Sequence, residues 1–104
     1  MITCYVRYTI DPHKLDAFEA YARAWIPIVN SMGGTHHGYF LPDEGKDNIA
    51  VALFTFPSLA DFKTYARNRE NDPRCKAAFA IAETTNCILQ HDWQFMRPIL
   101  SEAN

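Results

Sequence analysis

The stretch from Gly33 to Pro42 reads Gly-Gly-Thr-His-His-Gly-Tyr-Phe-Leu-Pro, and it marks the change from a helical pattern to a strand. Glycine has ready access to positive φ, so the pair Gly33-Gly34 predicts the end of a helix. The segment from Thr35 to Leu41 then favours a strand. Because neighbouring side chains of a strand point to opposite faces, His36 and His37 cannot both face one pocket.

This separation argues against a metal site clamped by His36 and His37. Such a site would need further ligands from elsewhere, and the sequence has no HxxxH or HxxE pattern to supply them. In this interpretation one histidine faces a cavity, and the other faces solvent or a partner chain. We therefore expect neither a metal site nor a cofactor.

Upstream of this stretch, residues 2–10 alternate in the manner of a half-buried strand. Its two faces carry Ile2, Cys4, Val6, Tyr8 and Ile10 on one side, and Thr3, Tyr5, Arg7 and Thr9 on the other. The pair Asp11-Pro12 predicts a helix start, with aspartate as N-cap and proline at the first helical position. Apolar residues recur at helical spacing to about Asn30, and Pro27 indicates either a kink or the end of this helix.

Downstream of the stretch, residues 49–56 form a nearly continuous apolar run. A strand buried on both faces has this composition, so we place it in the middle of a sheet or under a partner. Ser58, with an aspartate three residues later, predicts the start of a second helix. Asp72-Pro73 predicts another helix start, and a last strand begins near Asn86.

The resulting order is strand, helix, strand, strand, helix in two pieces, strand. This βαββαβ order predicts an α+β, ferredoxin-like fold, in which a four-stranded antiparallel sheet carries helices on one face. The other face carries Tyr5, Arg7 and one side of the apolar third strand, so a monomer would expose an apolar patch there. We therefore expect a two-fold homodimer whose sheets pack face to face into an α/β barrel. Residues 1–100 form its single domain, and residues 101–104 form a C-terminal tail.

The composition excludes several classes of partner. Of the 104 residues 48% are hydrophobic and 21% are charged, with a net charge of -2, as in ordinary globular domains. Lysine and arginine are scattered, so neither nucleic acid nor an anionic membrane surface is an expected partner. The sequence shows no signal peptide and no apolar stretch of bilayer length, and we expect a soluble, cytoplasmic protein.

Several short motifs are spread over nearly the whole chain. They are Asp11-Pro12-x-Lys14, the helix with Phe18 and Trp25, Gly34 followed by Gly38-Tyr39-Phe40-x-Pro42, the Gly45 loop, Ser58-Leu59-x-x-Phe62 and Asp72-Pro73. Together they resemble the NIPSNAP family, within the dimeric α/β-barrel superfamily. The resemblance implies a ferredoxin-like fold that dimerises into a β-barrel, in a family whose bacterial members have no well-established activity. Related branches include cofactor-free monooxygenases, polyketide cyclases, muconolactone isomerases and haem-binding enzymes, but none of their catalytic signatures transfers to this chain.

The candidate site lies between the sheet and the helices. In this topology His91, Trp93 and Tyr8 lie on adjacent strands, and they line a space together with Trp25 and either Tyr39 or His36. An apolar pocket with a few convergent polar groups is typical of a small-molecule site. The catalytic candidates are His91 and Tyr39, and the ligand-binding candidates are Tyr8, Trp25, His36, His37 and Trp93. The alternative is that these aromatic residues simply fill the core.

The sequence is compatible with two functions, of which one is catalytic and the other is not. The first is a dimeric domain that binds a hydrophobic, aromatic or polyketide-like molecule and acts on it as a cofactor-free oxygenase, isomerase or cyclase. The second is a non-catalytic module that works through protein contacts. The sequence lacks paired carboxylates, a nucleophile elbow and a phosphate-binding glycine loop, which argues against hydrolases and kinases.

Overall fold

Within residues 1–43 and 48–100, which the computed structural model describes, the chain follows the predicted order of helices and strands. The elements are β1 (Ile2–Ile10), α1 (Leu15–Ser31), β2 (Thr35–Phe40), β3 (Ile49–Phe56), α2 (Leu59–Arg69), α3 (Pro73–Thr85) and β4 (Ile88–Met96). The predicted α+β, ferredoxin-like class is confirmed. The Gly45 loop residues and the tail at 101–104 lie outside the described residues.

The four strands form one antiparallel sheet in the order β2-β3-β1-β4, so β3 lies inside the sheet as predicted. Alternate residues of the two central strands point to the helices and are buried: Cys4, Val6, Tyr8 and Ile10 on β1, and Ala50, Ala52, Phe54 and Phe56 on β3. The opposite side, which we call the open face, is covered by none of the helices that the structure describes. It presents the half-buried Tyr5, Val51 and Leu53, and Phe40 is 55% exposed beside them.

The start of α1 differs from the prediction. The segment from Asp11 to Lys14 forms a turn instead, in which the Lys14 amide donates to the Asp11 carbonyl (2.9 Å) and the His13 amide donates to Asp11 Oδ1 (3.0 Å). Aspartate thus caps a turn here, and the helix begins at Leu15. The same dipeptide at Asp72-Pro73 does cap a helix, because Asp72 accepts from the Arg74 amide and α3 begins at Pro73.

α1 continues through Pro27 to Ser31 and ends at the two glycines. Of these two glycines, only Gly33 adopts a positive φ, at 95°. At position 34 glycine is needed because there is no room for a side chain: a Cβ would lie 2.8 Å from Val29 Cγ1 and 2.9 Å from Phe56 Cζ. The close approach of the chain to β3 at Gly34 brings β2 directly alongside the core.

A β-bulge interrupts β2 and changes which residues face the helices. His36 pairs with Phe54, but the next paired residue is Gly38, opposite Leu53, so His37 has no partner in the register. Gly38 adopts φ 108°, which favours glycine. After the bulge Tyr39 returns to the face that His36 occupies, and their rings stack at 4.9 Å between centroids. Strict alternation would have placed them on opposite faces.

The second half of the chain begins as its capping residues predict. Ser58 Oγ accepts a hydrogen bond from the Asp61 amide at 3.1 Å and donates one to Asp61 Oδ2 at 2.7 Å, which stabilises the start of α2. Asn86 ends α3 in the left-handed conformation and leads into β4. None of the helices in residues 1–43 and 48–100 is both long and apolar enough to cross a membrane.

Candidate functional site

A small cavity lies between the helix-facing side of the sheet and the three helices. Its volume is about 30 Å³, and its lining residues come from every element except the loops: Tyr8, Tyr21, Trp25, Val29, His36, Tyr39, Phe54, Tyr65, Arg69, Phe79 and Trp93. Eight of these eleven are tyrosine, tryptophan or phenylalanine, and a ninth is histidine. We call this space the inner cavity.

Helical spacing builds the upper wall of the inner cavity. Tyr21, Trp25 and Val29 recur every fourth residue on α1, and Tyr65 and Arg69 do so on α2. Trp25 packs edge-to-face on Phe79 of α3, with centroids 4.8 Å apart. The three helices therefore meet above one patch of the sheet.

A larger pocket lies next to the inner cavity and shares most of its walls. It has a volume of about 200 Å³ and is lined by Tyr8, Tyr21, Arg69, Phe79, His91 and Trp93. We call it the outer pocket. Phe79 and Trp93, which border both spaces, are 38% and 39% exposed. These two partly exposed rings therefore lie at the border between the inner cavity and the outer pocket.

The structure brings together six of the seven residues predicted for the site. Five of them line the inner cavity: Tyr8, Trp25, His36, Tyr39 and Trp93. His91 lines only the outer pocket, where it lies opposite Tyr8 in the β1–β4 register with the two rings 6.4 Å apart. The seventh residue, His37, lies on the open face with its Nε2 2.7 Å from Thr55 Oγ1. His37 is thus separated from the inner cavity by the sheet itself.

Other lining residues were not among the predicted site residues. Tyr21 and Tyr65 lie on helix faces that the apolar spacing marked as buried, so a search for polar tips on those faces would have found them. Arg69 borders both the inner cavity and the outer pocket, and its guanidinium carbon lies 5.3 Å from the Tyr65 ring centroid. Helical spacing predicts that Arg69 lies on the sheet-facing side of α2, four residues after Tyr65. No motif signals that it borders these two spaces, because that depends on how α2 packs over the sheet.

His36 is held as a neutral hydrogen-bond donor. Its Nδ1 accepts a hydrogen bond from the Gly38 amide at 2.9 Å, so the ring proton lies on Nε2. Burial, with a smaller effect from neighbouring His37, lowers the pKa of His36 from 6.5 to about 4. The imidazole is therefore uncharged at neutral pH. Its Nε2 is buried and has no hydrogen-bond partner among the described residues.

The sequence model of the NIPSNAP family matches residues 5–101, which is most of the chain. The chain belongs to the NIPSNAP family. No curated protein matches it.

Solved structures share this fold with the NIPSNAP domain described here. A NIPSNAP family protein of unknown function from Agrobacterium tumefaciens is 23% identical with a TM-score of 0.79, over 94% of this chain and 87% of that one. An uncharacterised NIPSNAP domain protein from Burkholderia xenovorans is 15% identical with a TM-score of 0.77, over 100% of both chains. A candidate antibiotic biosynthesis monooxygenase from Nitrosomonas europaea is 9% identical with a TM-score of 0.75, over 96% of this chain and 100% of that one. At these identities the likeness establishes the fold alone.

The tyrosine hydroxyls of this NIPSNAP domain are kept in the neutral form. Burial raises the pKa of Tyr39 far above its usual value, and the nearby Tyr21 hydroxyl adds to the effect. Burial and the hydroxyls of Tyr39 and Tyr21 likewise raise the pKa of Tyr8. Burial raises the pKa of Tyr65 to about 12. These phenols are hydrogen-bond donors and acceptors at neutral pH, and none is a ready phenolate base.

The residues that the structure describes in this NIPSNAP domain form no cluster of metal-binding side chains. Among residues 1–43 and 48–100, no three of the histidine, cysteine, aspartate and glutamate side chains are close enough to hold one ion. Cys4, Cys75 and Cys87 are all free and buried, and burial raises the pKa of Cys4 to about 12. The side chains that line the inner cavity can form hydrogen bonds, stack with aromatic rings and exchange protons.

Proposed function

We propose that this NIPSNAP domain binds a hydrophobic, aromatic small molecule in the inner cavity and the outer pocket. The observation that carries the proposal is the pairing of an aromatic inner cavity with an adjoining pocket whose separating rings, Phe79 and Trp93, are partly exposed. Apolar concave sites with a few polar groups are the usual form of a small-molecule site. A space of about 30 Å³ holds roughly two water-sized atoms, so most of the ligand would lie in the outer pocket.

The polar groups at this site suit proton transfer without a cofactor. Tyr39, neutral and buried, is placed to donate a hydrogen bond to a carbonyl or enolate oxygen of the ligand. His91, exposed at the outer pocket, is placed to exchange a proton between ligand and solvent. We infer a cofactor-free oxygenation, isomerisation or cyclisation, which the fold shared with the candidate monooxygenase from Nitrosomonas europaea supports.

We also infer that a second copy of the chain covers the open face. The support is the apolar content of that face, with Val51 and Leu53 half-buried and Phe40 55% exposed, together with the family resemblance to dimeric α/β barrels. Packing two such faces together removes their apolar surface from water. Sedimentation at micromolar concentration should give twice 11.9 kDa. A particle of 11.9 kDa would contradict the dimer.

Ligand-induced thermal shifts test the binding site. The protein is screened against a panel of aromatic acids, phenols, quinones and polycyclic ketones, and the best ligand is then tested on Tyr39→Phe and His91→Ala. Matched controls are Tyr5→Phe on the open face and His13→Ala in the turn before α1, since neither residue lines the cavity or the outer pocket.

We expect the two site variants to lose most of the ligand-induced shift and the two controls to keep it. If the ligand stabilises all four variants as much as the unsubstituted protein, the site is wrong. If no member of the panel stabilises the protein, the alternative of a non-catalytic interaction module is favoured.

A further inference from the structure

Two buried hydrogen-bond donors of the inner cavity make no hydrogen bond of good geometry, although the Trp25 indole N–H lies near the Tyr21 hydroxyl and partly offsets the rise in the pKa of that hydroxyl. Trp25 Nε1 and His36 Nε2 are buried and unpartnered among the described residues, and their side chains are 5% and 9% exposed. Trp25 belongs to the helix wall and His36 to the sheet wall, so the donors come from opposite sides of one cavity. A buried N–H without an acceptor costs roughly 1–3 kcal/mol, which a ligand oxygen would recover.

The size of the inner cavity limits what reaches these donors. A volume of about 30 Å³ admits roughly two water-sized atoms. It is too small for an aromatic ring, and it matches the two oxygens of a carboxylate. The outer pocket, at about 200 Å³, is the space that admits a ring, and Phe79 and Trp93 offer faces and edges for stacking.

The charge at the boundary of the two spaces is positive. Arg69 lines both of them, and no described carboxylate lies within salt-bridge distance of its guanidinium. Its guanidinium carbon lies 5.3 Å from the ring centroid of Tyr65 and 5.9 Å from that of Phe79, and its charge partly offsets the rise in the pKa of the Tyr65 hydroxyl. The described residues that line the two spaces include no aspartate and no glutamate.

We propose that the ligand is an aromatic carboxylate, whose carboxylate group accepts from Trp25 Nε1 and His36 Nε2 beside Arg69 while its ring lies in the outer pocket. This inference rests on the proposed function, and it adds the charge and the orientation of the ligand. A buried carboxylate is stable only where hydrogen bonds and an opposite charge compensate for lost water. The inner cavity offers two N–H donors and a guanidinium, whereas an ammonium group would meet donors and a like charge.

Isothermal titration with three matched probes tests this assignment. The probes share a naphthalene ring and differ in one substituent: naphthoate carries a carboxylate, methylnaphthalene is apolar, and naphthylmethylamine is a cation. Each is titrated into the unsubstituted protein, Trp25→Phe and Arg69→Met. Trp25→Phe keeps an aromatic ring but removes the N–H, and Arg69→Met keeps an apolar stem but removes the charge. Arg67→Met, on the same helix but exposed and outside both spaces, is the control.

Naphthoate should bind at least roughly tenfold more tightly than methylnaphthalene, and naphthylmethylamine should bind most weakly. Trp25→Phe and Arg69→Met should each weaken naphthoate binding by roughly tenfold and change methylnaphthalene binding by less than about twofold. The control Arg67→Met should leave naphthoate binding unchanged. Because Arg69 is only half-buried, its variant stays informative even if Trp25→Phe does not fold.

Two results would overturn the inference, and they are distinguishable. If methylnaphthalene binds as tightly as naphthoate, or if both variants weaken all probes alike, the carboxylate assignment is wrong and the apolar site stands. If no probe binds, the proposed function fails together with the inference.

Discussion

The buried imidazole of His36 predicts a specific acid sensitivity. Its pKa lies at about 4 in the folded protein and at 6.5 in the unfolded chain, because burial penalises the charged ring. Between these values the unfolded chain takes up a proton that the folded protein refuses. The contribution of His36 to stability is therefore complete above pH 6.5 and is lost as the pH falls towards 4.

The size of this effect follows from the two pKa values. Proton uptake by the unfolded chain lowers the free energy of unfolding by about 2 kcal/mol at pH 5 and by about 3 kcal/mol at pH 4. His36→Gln removes the titrating group but keeps a side-chain acceptor for the Gly38 amide. As the pH falls from neutral, the free energy of unfolding of the variant should therefore drop less than that of the unsubstituted protein, by about 2 kcal/mol at pH 5 and about 3 kcal/mol at pH 4.

Urea unfolding at a series of pH values and one fixed protein concentration measures this difference. His13→Gln is the control, because it makes the same substitution at an exposed histidine in the turn before α1, outside the core. Parallel loss of stability in the unsubstituted protein and in His36→Gln would refute the reasoning, since it would mean that His36 is protonated as readily folded as unfolded.

Three further substitutions test the packing, the assembly and a helix cap. Gly34→Ala should lower the free energy of unfolding by about 1–3 kcal/mol, because its Cβ would overlap Val29 and Phe56 at 2.8 and 2.9 Å; an unchanged urea midpoint would contradict this. Leu53→Lys places a charge on the open face and should give a folded particle of 11.9 kDa by sedimentation, whereas a persistent dimer would show that this face is not the interface. Ser58→Ala should cost about 1 kcal/mol in urea unfolding through loss of the cap on α2, and a loss below about 0.3 kcal/mol would count against it.

The element order was predictable because local signals agree with the tertiary structure. The alternation in β1, the unbroken apolar run of β3 and the cap at Ser58 each act over a few residues, and each appears where expected. The start of α1 was not predicted correctly, since Asp11 is used to close a turn after β1. Sequence alone does not distinguish an aspartate that caps a turn from one that caps a helix.

The candidate site was predictable as a region but not in its details. Strict alternation in β2 allowed either His36 or Tyr39 to face the helices, and the bulge at Gly38 places both there. Glycine inside a strand is a known signal for a bulge, and it was available in the sequence. Helical spacing put Arg69 on the sheet-facing side of α2, but nothing in the sequence showed that it borders both spaces or that two donors there lack well-placed acceptors. Both features depend on how three helices pack over the sheet.

The indole N–H of Trp25 reports most directly on whether the inner cavity is the ligand site. The chain has two tryptophans, so a nitrogen-labelled sample gives one indole signal for each, and Trp25→Phe assigns them. Titration with naphthoate should move the Trp25 indole proton downfield as it gains an acceptor, and Trp93 should shift through ring stacking. A Trp25 signal that stays in place while the ligand saturates the protein would contradict the account.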